Sequence, residues 1–220
     1  MRDALVRSIA TTTHGRFLVD VPAAMGPHPL LVGFHGYGES AERHLEQLRQ
    51  IPGIDAWALA SVQGLHRFYT SKMGDVVASW MTRQDRHLAI ADNVAYVDRV
   101  VATIAGEIGT AVRLVYAGFS QGVAMAFRAA VLGATRADGI IALGGDVPPD
   151  VRDRPSSLFP PVLLGRGAGD TWYTDAKVRA DVAWLHVTGA RVDVVVVEGG
   201  HEWTGEFRVA AARFLQSLWP

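Results

Sequence analysis

The chain has 220 residues, of which 49% are hydrophobic and 20% charged, and its formal net charge is −1. This length suits one domain over residues 1–220, and the balanced charge gives no reason to expect nucleic acid or an anionic membrane surface as a partner. The absence of cysteine excludes disulfides, thiolate metal sites and a cysteine nucleophile. No apolar run approaches the roughly 18 residues of a membrane span, and the first residues lack the apolar core of a signal peptide, so we expect a cytoplasmic protein.

The first half of the chain reads as short strands followed by helices. Residues 4–9 and 15–21 alternate in polarity and predict an antiparallel edge. The continuous apolar run at 29–34 is typical of a strand that is buried on both faces. Further patterns predict a helix over 40–51 with Ser40 as its N-cap, a strand over 57–63 and a helix over 85–108.

The second half repeats this alternation. Its patterns predict strands over 112–118, 139–144, 161–165 and 191–198, helices over 121–132, 175–187 and 203–219, and a proline-rich loop over 148–161. Strands and helices that alternate in this way predict an α/β fold: a mostly parallel central sheet with helices on both faces. Ligand sites in such folds lie at the carboxyl ends of the strands.

One predicted strand runs directly into Gly118-Phe119-Ser120-Gln121-Gly122 and then into an alanine-rich helix. The G-x-S-x-G pentapeptide is weak evidence by itself, but the strand–turn–helix context is that of a nucleophile elbow. Such a turn holds its serine in a strained conformation, and small glycine neighbours let the strand and the helix pack closely around it. We therefore expect Ser120 to be a nucleophile; the alternative is a glycine-rich turn with an inert serine.

A serine nucleophile needs a base, and a histidine that is held by a carboxylate is suited to this role. Among eight histidines, His35 and His201 directly follow predicted strands, and His201 lies between the last strand and the last helix. Asp170 follows the strand at 161–165, so the order Ser120, Asp170, His201 is the one expected of an α/β-hydrolase. The rival acids are Asp146, Asp175 and Glu198, and the rival base is His35.

Two loops offer the remaining parts of an acyl-transfer site. The backbone amides of Tyr37 and Gln121 are the expected oxyanion donors, and a hydrogen bond from His35 would hold the first of these loops. Trp80, Trp172 and Tyr173 lie in loops near the predicted strand ends and are our candidates for an apolar acyl or aryl pocket. Ordinary packing is the alternative for each of these aromatic side chains.

The segments HGYGES, ASW at 78–80, GFSQGVAMA, GAGD and EGGHEW together resemble the phospholipase/carboxylesterase family of α/β-hydrolases, which includes acyl-protein thioesterases and small bacterial carboxylesterases. The resemblance implies an α/β-hydrolase fold with a minimal lid or none, no cofactor and no metal. It assigns the same triad and oxyanion residues. The chain departs from the family pattern at Glu39, where an aspartate is usual, and at 171–174, where bulky aromatics follow Asp170.

These observations together predict a serine hydrolase that cleaves small carboxylic esters, with short- to medium-chain or aryl groups, through an acyl-enzyme on Ser120. An acyl thioesterase or lysophospholipase with long acyl substrates would use the same chemistry. A non-catalytic binding protein on the same fold is an alternative of another class. The oligomeric state stays open, with a dimer among the alternatives.

Overall fold

The structure, a computed structural model, describes residues 4–219 except 24–25, 72–73, 109–112 and 156–157. In chain order its strands are β1 (Arg16–Asp20), β2 (Leu30–Phe34), β3 (Ala58–Gln63), β4 (His66–Tyr69), β5 (Val76–Ser79), β6 (Leu114–Phe119), β7 (Gly139–Leu143), β8 (Val162–Gly167) and β9 (Val192–Val197). The helices are α1 (Ala41–Arg49), α2 (Arg86–Ile108), α3 (Gln121–Leu132), α4 (Asp175–Val187) and α5 (Gly205–Ser217), with short 3₁₀ turns at Ile54–Ala56 and Pro149–Val151.

Seven strands form one sheet in the order β1-β3-β2-β6-β7-β8-β9. Only the β1–β3 pair in this sheet is antiparallel, and the other neighbours run parallel. β4 and β5 form a separate antiparallel hairpin. The predicted α/β class with a mostly parallel sheet is therefore confirmed.

The sheet is covered on both faces, which explains why its central strands are continuously apolar. In β6, Tyr116 packs with the core of α2 and α3, whereas its neighbour Val115 packs with the core of α1 and α5. Every residue of β2 and β6 is buried. Since both faces of the sheet are occupied, the site is confined to the edge where the parallel strands end.

Most of the predicted elements are present, with boundaries shifted by one or two residues. The Ser40 side chain caps α1 by accepting a hydrogen bond from the Arg43 amide at 3.3 Å, as predicted. The strand predicted at 4–9 is wrong: this segment is irregular and exposed, and β1 takes β3 as its antiparallel partner. The hairpin β4–β5 was not predicted. The first residue of the strand predicted at 112–118 lies outside the described residues.

No helix in the described part of the chain is long and apolar enough to cross a membrane. The cytoplasmic location, the single domain and the oligomeric state stay predictions.

Candidate active site

Ser120 occupies a strained turn between β6 and α3. Its φ of +53° and ψ of −117° lie outside the regions that residues with side chains favour, and its amide is held by the Leu143 carbonyl at 2.8 Å. A Cβ on Gly122 would overlap the carbonyl oxygen of Phe34, and one on Gly118 would overlap the carbonyl of Gly122. The sequence G-x-S-x-G is therefore required by close packing. A strained residue of this kind costs about 1–3 kcal/mol and persists only where the surroundings impose it.

His201 and Asp170 form a hydrogen-bonded pair at the ends of β9 and β8. His201 Nδ1 lies 2.8 Å from Asp170 Oδ2, and the other carboxylate oxygen accepts hydrogen bonds from the amides of Trp172 at 2.8 Å and Tyr173 at 3.0 Å. Burial alone would raise the pKa of Asp170, which is 5% exposed, but the hydrogen bonds from His201 and from the two amides outweigh it and lower the pKa. The acid is thus held ionised, as an anchor for His201.

Two contacts place the His201 ring beside the turn that carries Ser120. The ring lies 5.0 Å from the ring of Phe119, the residue that precedes the serine. On its other side, a Cβ added to Gly144 would lie 3.0 Å from His201 Cε1, while a Cβ on the adjacent Gly145 would overlap the Ser120 carbonyl. The two glycines after β7 therefore leave the space in which the His201 ring and the Ser120 backbone pack.

The rival acids have other environments. Asp146 is half exposed and forms an ion pair with Lys177 at 3.1 Å. Asp175 pairs with Arg179 on α4, and Glu198 is exposed. Among the described residues, Asp170 is the carboxylate that bonds to His201.

His35 is a structural residue in this fold. It is fully buried, its Nε2 accepts a hydrogen bond from the Gly64 amide at 3.0 Å, and its Nδ1 donates to the Gly36 carbonyl at 2.7 Å. Burial lowers its pKa, so the ring stays neutral. The prediction that His35 holds the following loop is confirmed.

In the loop after β2, the described hydrogen bonds leave the Tyr37 backbone amide open. The Gly36 amide donates to Glu39 Oε2 at 2.8 Å, the Gly38 amide to the Ala78 carbonyl at 3.0 Å, and the Glu39 amide back to Gly36 at 3.3 Å. For the Tyr37 amide, the described residues offer no acceptor. The glutamate that departs from the family pattern thus ties the loop together through its side chain.

Gln121 is the first residue of α3, where backbone amides lack partners within the helix and the helix dipole favours negative charge. Its side chain is fixed to the segment that follows β5. Oε1 accepts from the Trp80 amide at 3.0 Å, Nε2 donates to the Met81 carbonyl at 3.1 Å, and the Ser79 hydroxyl lies 3.1 Å from Nε2. Sequence reasoning did not identify this clamp, because residues 79–81 carry no motif that points to Gln121.

The aromatic candidates divide into one cleft residue and two core residues. Trp172 is 74% exposed and lines the cleft beside Ser120. Trp80 and Tyr173 are fully buried and do not line it, so the expectation that they form the pocket wall is wrong. The Trp80 indole donates to the His35 carbonyl at 2.9 Å, and the Tyr173 hydroxyl donates to Asp181 at 3.0 Å. Each large ring gains more from burial with a bonded polar atom than from exposure in a loop.

The cleft itself has a volume of about 880 Å³ and contains Ser120, Gln121 and Tyr37 in its wall. Sequence reasoning missed its charged lining, which contains four arginines and a lysine: Arg83, Arg86, Arg128, Arg152 and Lys177. Within the part of the chain that the structure describes, no group of three or more histidines, aspartates and glutamates is placed to hold a metal ion.

The family model for phospholipases and carboxylesterases matches residues 19–218. The chain belongs to this phospholipase/carboxylesterase family. No functionally curated protein has a significant sequence match to it. Among solved structures of this fold, esterase PE8 is similar with a TM-score of 0.73 and 22% identity, over 93% of this chain and 98% of that protein.

Two further structures, a carboxylesterase and an acyl-protein thioesterase, extend the comparison. The Bacillus cereus carboxylesterase has a TM-score of 0.73 and 15% identity, over 93% of this chain and 95% of its own. The Zea mays acyl-protein thioesterase 2 has a TM-score of 0.71 and 18% identity, over 93% and 99%. At these identities the likeness establishes the α/β-hydrolase fold, and the family match establishes a hydrolase of the phospholipase/carboxylesterase family. The substrate must be argued from the site.

Proposed function

We propose that the chain is a serine hydrolase that cleaves carboxylic esters through an acyl-enzyme on Ser120. The observation that carries this proposal is the 2.8 Å hydrogen bond between buried Asp170 and partly exposed His201, beside the turn that holds Ser120 at a φ of +53°. A strained serine next to a carboxylate-bound imidazole is the arrangement that activates a hydroxyl for attack. An inert glycine-rich turn would need neither the strain nor the pair.

In the proposed first half-reaction, the Ser120 hydroxyl attacks the carbonyl carbon of the ester while His201 Nε2 takes its proton. The amides of Tyr37 and Gln121 stabilise the negative charge that develops on the carbonyl oxygen. The C–O bond to the alcohol then breaks, and His201 returns the proton to the leaving oxygen. Asp170 accepts a hydrogen bond from the Nδ1–H group of His201 throughout and stays ionised, so that Nε2 is the free base at the start.

In the second half-reaction, water takes the place of the alcohol. His201 removes a proton from the water as its oxygen attacks the acyl carbon. The tetrahedral intermediate collapses to release the carboxylic acid, and the proton returns to the Ser120 oxygen. No redox step and no cofactor is needed for this sequence.

We further propose that the substrates are short- to medium-chain or aryl esters. A long acyl chain laid along the cleft would desolvate the exposed charged groups in its wall, Arg83 and Arg86, without compensating them. Trp172 offers an exposed aromatic face to a short acyl or an aryl group. A thioesterase or lysophospholipase acting on long chains is the alternative, and acyl length separates the two.

The test is hydrolysis of p-nitrophenyl esters with acyl groups of two to sixteen carbons by the wild type and Ser120→Ala. We expect a short-chain optimum and a loss of about 10⁴–10⁶ in turnover for Ser120→Ala. Ser71→Ala, which changes an exposed serine in the β4–β5 hairpin, is the matched control and should keep wild-type activity. Residual activity of Ser120→Ala within tenfold of the wild type contradicts the proposal.

Labelling with a fluorophosphonate gives a second measurement that does not depend on the choice of ester. Labelling at Ser120 without turnover of any ester would show a live nucleophile with a different substrate. An absence of both labelling and turnover would favour the non-catalytic binding protein.

A further inference from the structure

The cleft beside Ser120 carries more positive than negative charge once its internal ion pairs are counted. Arg128, fully buried on α3, makes two hydrogen bonds of 2.7 Å to the two carboxylate oxygens of Asp150. Arg152 is paired with Asp181, a buried carboxylate. These two arginines are therefore neutralised by partners and held in place as part of the wall.

The lysine in the wall is also neutralised. Lys177 Nζ lies 3.1 Å from Asp146 Oδ2, and both side chains are about half exposed. The same Lys177 donates a hydrogen bond to the Trp172 carbonyl at 2.9 Å. Three of the five cationic side chains in the cleft wall are thus each paired with a carboxylate.

Arg83 and Arg86 are different. Arg86 is half exposed and lies 4.0 Å from Asp150, whose two oxygens are already bound by Arg128. Arg83 is exposed, and no carboxylate in the described part of the chain lies within ion-pair distance of it. Asp85, between the two, does not line the cleft and is beyond ion-pair distance of both guanidinium groups.

The position of this pair increases its positive potential. Arg86 is the first residue of α2, where the helix dipole contributes further positive charge. Both residues line the cleft that contains Ser120. Guanidinium groups bind carboxylate and phosphate through paired hydrogen bonds, and a cleft with an excess of positive charge attracts anionic substrates.

We propose that Arg83 and Arg86 form a subsite for an anionic group, a carboxylate or a phosphate, on the ester whose carbonyl Ser120 attacks. This inference rests on the proposed esterase function and narrows its substrate class to anionic esters. An exposed ion pair contributes up to a few-fold each, so two together should favour an anionic over a neutral ester by about tenfold in kcat/KM at low salt.

The experiment uses butyrate esters of four alcohols built on the same benzyl scaffold: benzyl, 4-carboxybenzyl, 4-phosphonobenzyl and 4-(aminomethyl)benzyl alcohol. With the wild type we expect at least one anionic ester to exceed the neutral one about tenfold and the cationic ester to be the poorest. The carboxylate and phosphonate arms identify which anion fits. In Arg83→Gln/Arg86→Gln the anionic-to-neutral ratio of kcat/KM should fall close to one.

Arg99→Gln is the matched control. Arg99 is exposed on the same helix, and thirteen residues after Arg86 it lies about 20 Å further along the helix axis. It should keep the wild-type ratio. Addition of salt should lower the anionic-to-neutral ratio of kcat/KM for the wild type, because salt screens exposed charges. This measurement does not depend on the folding of any variant.

An equal rate for neutral and anionic esters in the wild type overturns the subsite, as does a ratio that survives the double substitution. The parent proposal fails separately, when Ser120→Ala still hydrolyses the neutral benzyl ester.

Discussion

Replacing Gly144 by alanine should weaken catalysis by displacing His201. A Cβ at this position would lie 3.0 Å from His201 Cε1, 3.1 Å from Nδ1 and 3.4 Å from Asp170 Oδ2. The first two distances are shorter than ordinary van der Waals contact between carbon and its neighbours. The imidazole must therefore shift by a few tenths of an ångström, at the atom that bonds to Asp170.

The magnitude follows from the sensitivity of catalysis to position. A misplacement of about 1 Å can cost about 10²-fold in rate, so a shift of a few tenths should cost about three- to tenfold in kcat/KM. Gly144 also has a φ of +67°, and alanine in that region costs about 1–2 kcal/mol of stability. The loss of stability and the loss of activity must therefore be separated.

Gly189→Ala is the control that separates the loss of stability from the loss of activity. Its φ of +74° imposes a similar strain on alanine, but a Cβ there would meet no atom within 4 Å. Gly144→Ala and Gly189→Ala should thus lose comparable free energy of unfolding, measured with urea, while only Gly144→Ala loses activity on p-nitrophenyl butyrate. Equal activity in two folded variants would refute the inference that Gly144 makes room for the His201–Asp170 pair.

Two further predictions concern single side chains. Burial lowers the pKa of His44 from 6.5 to about 3. Between these two pH values the unfolded chain binds a proton that the folded state does not. The contribution of neutral His44 to the free energy of unfolding is therefore complete above about pH 6.5 and falls by about 1.4 kcal/mol per pH unit toward pH 3. When the pH falls from 7 to 5, the free energy of unfolding of His44→Met, measured with urea, should decrease by about 2 kcal/mol less than that of the wild type. The exposed control His87→Met should show the same pH dependence as the wild type. The same pH dependence in the wild type and both variants would contradict the assignment. Asp170→Asn should lower kcat about 10⁴-fold on p-nitrophenyl butyrate, because an amide NH₂ facing His201 Nδ1 stabilises the wrong tautomer. A loss below tenfold in a folded Asp170→Asn protein would mean that the carboxylate does not orient His201.

The α/β fold could be predicted because its signals are local and repeated. The run at 29–34 is apolar on both faces, and it becomes β2, which is buried throughout. The order of Ser120, Asp170 and His201 depends on which strands precede them, so correct strand assignments were enough to propose these three residues as the triad. Their pairing geometry needed the structure, because sequence alone also allowed Asp146 as the acid.

The sequence-based predictions that proved wrong share a cause, which is that exposure and strand pairing depend on residues that are not adjacent in sequence. Residues 4–9 alternate in polarity, but Leu5, Val6 and Ile9 remain exposed, and β1 pairs with β3 rather than with this segment. Trp80 and Tyr173 lie in loops, where exposure is the usual expectation. Both rings are buried because each donates a hydrogen bond to a buried acceptor, the His35 carbonyl for Trp80 and the Asp181 carboxylate for Tyr173. Neither acceptor is adjacent in sequence to its donor, so no local pattern indicates it.

The hairpin that sequence patterns missed connects the two proposed oxyanion donors. β5 pairs with the Tyr37 loop through the Ala78 backbone, which accepts from the Gly38 amide and donates to the Glu39 carbonyl at 2.9 Å. The residues directly after Ala78 hold the Gln121 side chain. One short strand therefore contacts both the loop after β2 and the first turn of α3, which are far apart in sequence. Since the two proposed oxyanion donors must keep a fixed separation, we propose that this strand sets it through these contacts, although none of its residues reacts.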